Sequence, residues 1–192
     1  MKDKGWLSLD IDSLLLTISF FASNSLPREL LISSIYSDRL TSSPKEVTPL
    51  KPTSPAFSMA LAGLVFAITG GVSGIGFATA QILSERGATV CIADVDPEAM
   101  IQAEEYFKPL NVLFTITKVD ISKKEDVESW IDSIIEKFGR LDGAANVAGI
   151  IGKHHGVREV KDLDDDEWDK IIAVNLTGTM LVMLLCRILG AD

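Results

Sequence analysis

The segment Thr69-Gly70-Gly71-Val72-Ser73-Gly74-Ile75-Gly76 is the part of this chain best equipped for chemistry. Small residues at Gly70, Gly74 and Gly76 let a backbone approach a pyrophosphate closely. The N-terminus of a following helix adds free N–H groups and a partial positive charge for the same anion. A glycine-rich turn between strand and helix can have this composition without a ligand, so the reading depends on what accompanies it. Asp94 follows Gly76 by 18 positions, close to the offset at which an acid accepts the hydroxyls of an adenine ribose. That carboxylate favours NAD over NADP. A 2′-phosphate about 4 Å away would be repelled by up to ~4 kcal/mol per unit charge at an effective dielectric near 20, and neither residues 71–84 nor Val95 supplies a compensating Lys or Arg.

These residues need a scaffold, and from Met59 onward strand and helix patterns alternate, the signature of βαβ units and a parallel sheet. Residues 61–69 are nearly continuous in apolar side chains and read as a first strand covered on both faces. A helix over 75–86 closes at Gly87, a second strand covers 89–94, and Asp96-Pro97 supplies a cap and first-turn proline for a helix reaching Phe107. A third strand is expected over 112–119. Ser122 and Glu125 have the spacing of a capping box, and Val127, Trp130, Ile131, Ile134, Ile135 and Phe138 follow at helical intervals to Gly139. A fourth strand over 143–148 and a last helix over 167–189, ending at Gly190, complete the pattern.

Residues 1–58 differ in kind. They hold five of the seven prolines (Pro27, Pro44, Pro49, Pro52, Pro55) and a single glycine, Gly5, so they read as a poorly ordered Ser/Pro-rich extension before the domain at 59–192. The apolar run at 14–22 follows Asp3, Asp10 and Asp12 and is short of the ~20 residues a membrane helix needs. Neither an export signal nor a membrane anchor is expected. A net charge of -9 without a basic cluster argues against nucleic acid or an anionic membrane as partner. Cys91 and Cys186 sit in apolar runs without metal or disulfide spacing, which points to a reducing compartment, the cytoplasm. His154 and His155 lie in a polar loop, and the acids Asp162, Asp164, Asp165, Asp166, Glu167 and Asp169 suit a helix N-terminus better than a metal ion.

Taken together, residues 59–192 resemble the N-terminal half of a short-chain dehydrogenase/reductase. The resemblance implies a Rossmann-like, doubly wound parallel α/β sheet, here incomplete, with strand order 3-2-1-4. It assigns cofactor contacts to Gly70, Ser73, Gly74, Ile75, Gly76, Asp94, Asp120 and Ile121. Asn146-Val147-Ala148-Gly149 resembles the family's Asn-Asn-Ala-Gly segment, which adds Asn146, Ala148 and Gly149; Val147 departs from the second Asn. Val174 is a further contact, and Asn175 matches the Asn that holds a water of the proton relay.

In this family a tyrosine acts as general acid/base, a lysine four residues later assists it, and a serine orients the substrate. The tyrosines here, Tyr36 and Tyr106, are followed at that spacing by Leu40 and Leu110. The expectation is therefore an NAD-preferring oxidoreductase acting on a secondary alcohol or ketone, truncated before its catalytic Ser, Tyr and Lys and inactive as given. The alternative is a non-catalytic nucleotide-binding or dimer-forming fragment. A bare edge on the fourth strand and the apolar face over 181–189 invite homo-oligomerisation.

Overall fold

A computed structural model describes residues 61–152 and 164–189. The extension at 1–58, the loop carrying His154 and His155, Asp162 and Gly190 lie outside the described residues. Four strands form one parallel sheet in the order β3-β2-β1-β4. They are β1 (Val65–Thr69), β2 (Thr89–Asp94), β3 (Phe114–Lys118) and β4 (Gly143–Asn146). β2 has the expected limits, while the others are shorter than their apolar runs. Leu61, Ala62 and Gly63 form a turn that Gly63 completes at φ 80°, so β1 begins only at Val65. β3 loses its ends to the turn at Asn111 (φ 51°) and to the bend leading to Asp120, and β4 stops at Asn146 where the chain turns into the cleft wall.

The helices between the strands are set by local chemistry. α1 (Gly74–Glu85) ends at Arg86, and Gly87 (φ 86°) turns the chain so that Ala88 N–H reaches the Leu83 carbonyl. α2 (Pro97–Phe107) starts as expected, the Asp96 carboxylate accepting from Glu98 N at 3.0 Å and Ala99 N at 3.1 Å. α3 (Lys124–Phe138) departs from the expected capping box. Lys123 is its N-cap, because the Ser122 hydroxyl donates to Asp120 Oδ1 at 2.6 Å instead of capping the helix. Asp126 takes up the reach-back role, accepting from Asp120 N at 3.1 Å. After β4 come α4 (Asp165–Ile172), a π-helical turn (Ala173–Gly178) and α5 (Thr179–Leu189), which continue into one another. By length and composition the run Asp165–Cys186 could cross a membrane, but Val182 and Cys186 from it are buried in the core.

The core has two layers, one on each face of the sheet. On one face α3 and α5 bring Val127, Trp130, Ile131, Ile134, Val182 and Cys186 against Val65, Ala67, Cys91 and Ala93. On the other, α1 and α2 bring Ala80, Leu83, Ala103 and Phe107 against Phe66, Ile68, Val90 and Ile92. Alternation along each strand thus feeds both layers. Each large side chain buried from α3 is worth ~1.5–3 kcal/mol, so that face alone can dock the helix. A buried carboxylate pins the entry to β4: Asp142 Oδ2 accepts from Val65 N at 2.8 Å and from Arg140 Nε at 2.8 Å. In the resulting register Thr69 pairs with both Ala93 and Asn146, and Asp94 with Lys118, which brings the carboxyl ends of all four strands to one edge. That edge is where ligands bind in open parallel sheets.

Candidate functional site

A cleft of about 490 Å³ opens at that edge. Each strand end contributes to it: Gly70, Ser73, Gly74 and Ile75 after β1; Ala93, Asp94 and Val95 at β2; Val119, Asp120 and Ile121 after β3; and Val147, Ala148, Gly149 and Ile150 after β4. Lys170 of α4 and Val174 of the π turn close it from the helical side. Ten of the residues expected from sequence therefore meet in one space: Gly70, Ser73, Gly74, Ile75, Asp94, Asp120, Ile121, Ala148, Gly149 and Val174. Gly76, Asn146 and Asn175 flank the cleft without lining it.

The glycine turn is a close-packed device. Gly70 has φ 66°, and a Cβ there would lie 2.7 Å from Ala148 Cα, so the β1 end and the loop after β4 touch backbone to backbone. A Cβ on Gly76 would lie 2.0 Å from the Gly70 carbonyl oxygen, so its role is to let α1 close onto the turn. Thr69 reinforces the contact, its Oγ1 accepting from Val147 N at 3.2 Å and Ala148 N at 3.3 Å. Ser73 caps α1 in an extended conformation without a side-chain cap hydrogen bond, and the first turn carries no acid. The N–H groups of that first turn have no intrahelical acceptor and keep their attraction for an anion.

The two carboxylates in the cleft are held differently. Asp94 Oδ1 accepts from Val95 N at 2.7 Å and Asp96 N at 3.2 Å, and Oδ2 from Val72 N at 3.4 Å, so it braces the glycine turn as well as facing the cleft. Asp120 Oδ1 accepts from the Ser122 hydroxyl and from Ser122 N at 3.1 Å, while Lys123 Nζ stands 3.7 Å from Oδ2. The Ser122 hydroxyl above all, then its N–H and the Lys123 charge, outweigh burial and hold the Asp120 carboxyl below the usual carboxylate range.

The Asn175 carboxamide is engaged at both ends by one residue, its Nδ2 donating to Ile150 O and its Oδ1 accepting from Ile150 N, both at 2.8 Å. It ties the π turn to the loop after β4. Asn146 is the opposite case: its Oδ1 and Nδ2 are both buried and neither has a hydrogen-bond partner among the described residues. The cradle suits a dinucleotide in its donor chemistry. Close backbone approach and helix N–H groups would suit phosphate, a β2 carboxylate would suit ribose hydroxyls, and apolar walls at Val119, Ile121 and Val174 would suit a flat base.

Sequence reasoning missed Ala93, Val95, Val119, Val147, Ile150 and Lys170 as cleft residues. Five of them adjoin motif residues and are recoverable from the strand ends. Lys170 is legible only through its position one helical turn before Val174.

Comparison with known proteins gives a consistent picture. The family model described as enoyl-(acyl carrier protein) reductase matches residues 70–189. The short-chain dehydrogenase/reductase ABA4 of Pyricularia oryzae is 68% identical over 124 residues, covering 64% of this chain and 46% of its own. Chanoclavine-I dehydrogenase easD of Arthroderma otae is 43% identical over 122 residues, covering 60% and 46%. Among solved structures, a short chain dehydrogenase from Mycobacterium smegmatis aligns with a TM-score of 0.63 at 28% identity, over 77% of this chain and 57% of that one. Levodione reductase aligns at 0.61 and 30% identity, over 67% and 50%. The chain thus spans about half the length of the curated relatives it matches. Its matched sequence, its sheet order and its glycine turn place it in the short-chain dehydrogenase/reductase family, to which the chain belongs.

Proposed function

We propose that residues 59–192 are the cofactor-binding half of a nicotinamide-dependent oxidoreductase that prefers NAD to NADP and moves a hydride between the cofactor and a secondary alcohol or ketone. The observation that carries this reading is the convergence of the glycine turn, the uncapped N-terminus of α1, Asp94 and Asp120 on one cleft. The relatives support it, since those aligned here are named as dehydrogenases or reductases. A bound nicotinamide supplies the hydride donor or acceptor. In this reading the first turn of α1 takes the pyrophosphate, Asp94 the ribose hydroxyls, Asp120 and Ile121 the adenine, and Ala148, Gly149 and Val174 the remaining cleft walls, with Asn146 flanking them. Asn175 fixes the loop beside the reacting end through Ile150 and serves the proton relay. The extension at 1–58 is dispensable for binding, the compartment is the cytoplasm, and neither nucleic acid nor membrane is a partner.

The discriminating measurement is calorimetry of the 192-residue chain with NAD and NADP. NAD binds more tightly, and Asp94→Ala narrows the difference by removing the repulsion of the 2′-phosphate. Equal or tighter NADP binding to the unaltered chain overturns the role of Asp94.

A second reading is a non-catalytic nucleotide-binding or dimer-forming unit. It is favoured by the solvent-facing apolar residues Trp168, Leu176, Met180 and Leu184 along the α4–α5 run, between 48% and 63% exposed, a surface suited to a second copy of the chain. Reduction of a panel of ketones by NADH separates the readings: the 192 residues alone give no turnover under either, whereas a chain extended to carry a Tyr-x-x-x-Lys turns over only under the first.

A further inference from the structure

Lys170 is the one cation among the described residues lining the cleft, whose other formal charges are the carboxylates Asp94 and Asp120. Both carboxylates already have partners. Asp94 is bonded to the backbone N–H groups of Val72, Val95 and Asp96, and Asp120 to Ser122 and Lys123. Neither neutralises Lys170. Asp166 stands four residues earlier on the same helix, the spacing at which an acid N-terminal to a lysine forms an ion pair. No ion pair forms between them among the described residues. The ammonium group is exposed and borders the cleft together with Val174, one turn along the helix.

A chain of net charge -9 repels a polyanionic ligand over most of its surface, so an unpaired cation among the described residues of the cleft carries weight. We propose that Lys170 is a phosphate-binding residue of the cleft, contributed by the helical wall that it forms with Val174. The inference rests on the reading of the cleft as a dinucleotide site. The phosphate it meets is either the bridging pyrophosphate or the 2′-phosphate that distinguishes NADP, and the latter case would soften the preference imposed by Asp94.

The test is titration calorimetry of the 192-residue chain and its Lys170→Met and Lys170→Arg variants with NAD and with NADP, at low and high sodium chloride. Lys108→Met, just past the end of α2 and not part of the cleft lining, serves as control, and melting curves verify that each variant is folded. Lys170→Met is expected to bind about three- to tenfold more weakly and to lose part of the salt dependence, while Lys170→Arg stays close to the parent. Equal loss for NAD and NADP assigns the pyrophosphate, and loss confined to NADP assigns the 2′-phosphate. Unchanged binding of both by Lys170→Met overturns the inference while leaving the cleft assignment standing. A parent chain that binds neither dinucleotide overturns that assignment and this inference with it.

Discussion

Replacing Gly76 with alanine separates the packing role of the glycine turn from its conformational role. The added Cβ would lie 2.0 Å from the Gly70 carbonyl oxygen and 2.7 Å from the Gly70 carbonyl carbon. Both are backbone atoms, so no side chain can swing aside, and α1 must retreat by about 1 Å to restore ordinary contact. Overpacking of this kind costs ~1–3 kcal/mol, and the absence of a flexible neighbour puts this site at the upper end. Alanine recovers about 1 kcal/mol through its better helix propensity, which leaves a net loss of ~2 kcal/mol. Binding suffers as well, because the N-terminal turn of α1 no longer sits against Gly70, and NAD affinity should fall at least about tenfold. Gly139→Ala, at the end of α3 and not part of the cleft lining, is the control. Its φ of 73° carries the left-handed strain of ~1–2 kcal/mol, but a Cβ there meets nothing within 4 Å. Urea unfolding gives the stabilities and calorimetry the affinities. The reasoning is refuted if Gly76→Ala binds NAD within about twofold of the parent, or if Gly139→Ala loses affinity as severely as Gly76→Ala.

Two further predictions concern the core. Burial raises the Cys91 thiol to about 11 and the Cys186 thiol to about 12 from an ordinary 9.0. The native state therefore keeps protons that the unfolded chain releases, so this contribution is intact below pH 9 and is lost as the pH climbs toward 11, by ~1.4 kcal/mol per pH unit for each thiol. Urea midpoints of the parent should fall more steeply over that range than those of a Cys91→Ala/Cys186→Ala variant, and parallel slopes would exclude the effect. Asp142→Ala should cost ~1–3 kcal/mol because it strips the buried Val65 N–H of its acceptor, whereas Arg140→Ala, whose side chain is half exposed, should cost under ~1 kcal/mol. Equal losses in thermal melts would mean that the ion pair, not the backbone contact, holds the β4 entry.

Where local chemistry decides the structure, the sequence was readable. Asp96-Pro97 and the β-branched, apolar run of β2 need no distant partner to declare themselves, and both elements have the expected limits. The alternation of elements announced a parallel sheet, and its strand order came from the resemblance to a known family. Ser122 misled because its hydroxyl could either accept from the free N–H groups of the α3 N-terminus or donate to the Asp120 carboxylate, and only the folded turn chooses between them. The π turn was invisible because one wider turn hardly disturbs the apolar spacing of a long helix, although it is the place where Asn175 reaches Ile150. In the cleft, most motif residues could be named because they follow a strand end, and Val174 because the resemblance assigns it. Lys170 was harder to name, because its relation to the cleft shows only through Val174, one helical turn along.

The two-layer core also dictates an order of events during synthesis. α1 and α2 follow β1 and β2 directly, so one face of the growing sheet is covered as soon as residues 74–107 have emerged. The opposite face waits for α3 and finally for Val182 and Cys186 of α5. β1 likewise has an open side until β4 arrives, and the Val65–Asp142 hydrogen bond closes a loop of 77 residues. A nascent chain halted between β3 and α3 would thus present Val65, Ala67, Cys91 and Ala93 on a bare face beside an unpaired strand edge. Such a surface recruits chaperones or other copies of itself, so a pause between β3 and β4 would be more hazardous to this protein than a pause across α5.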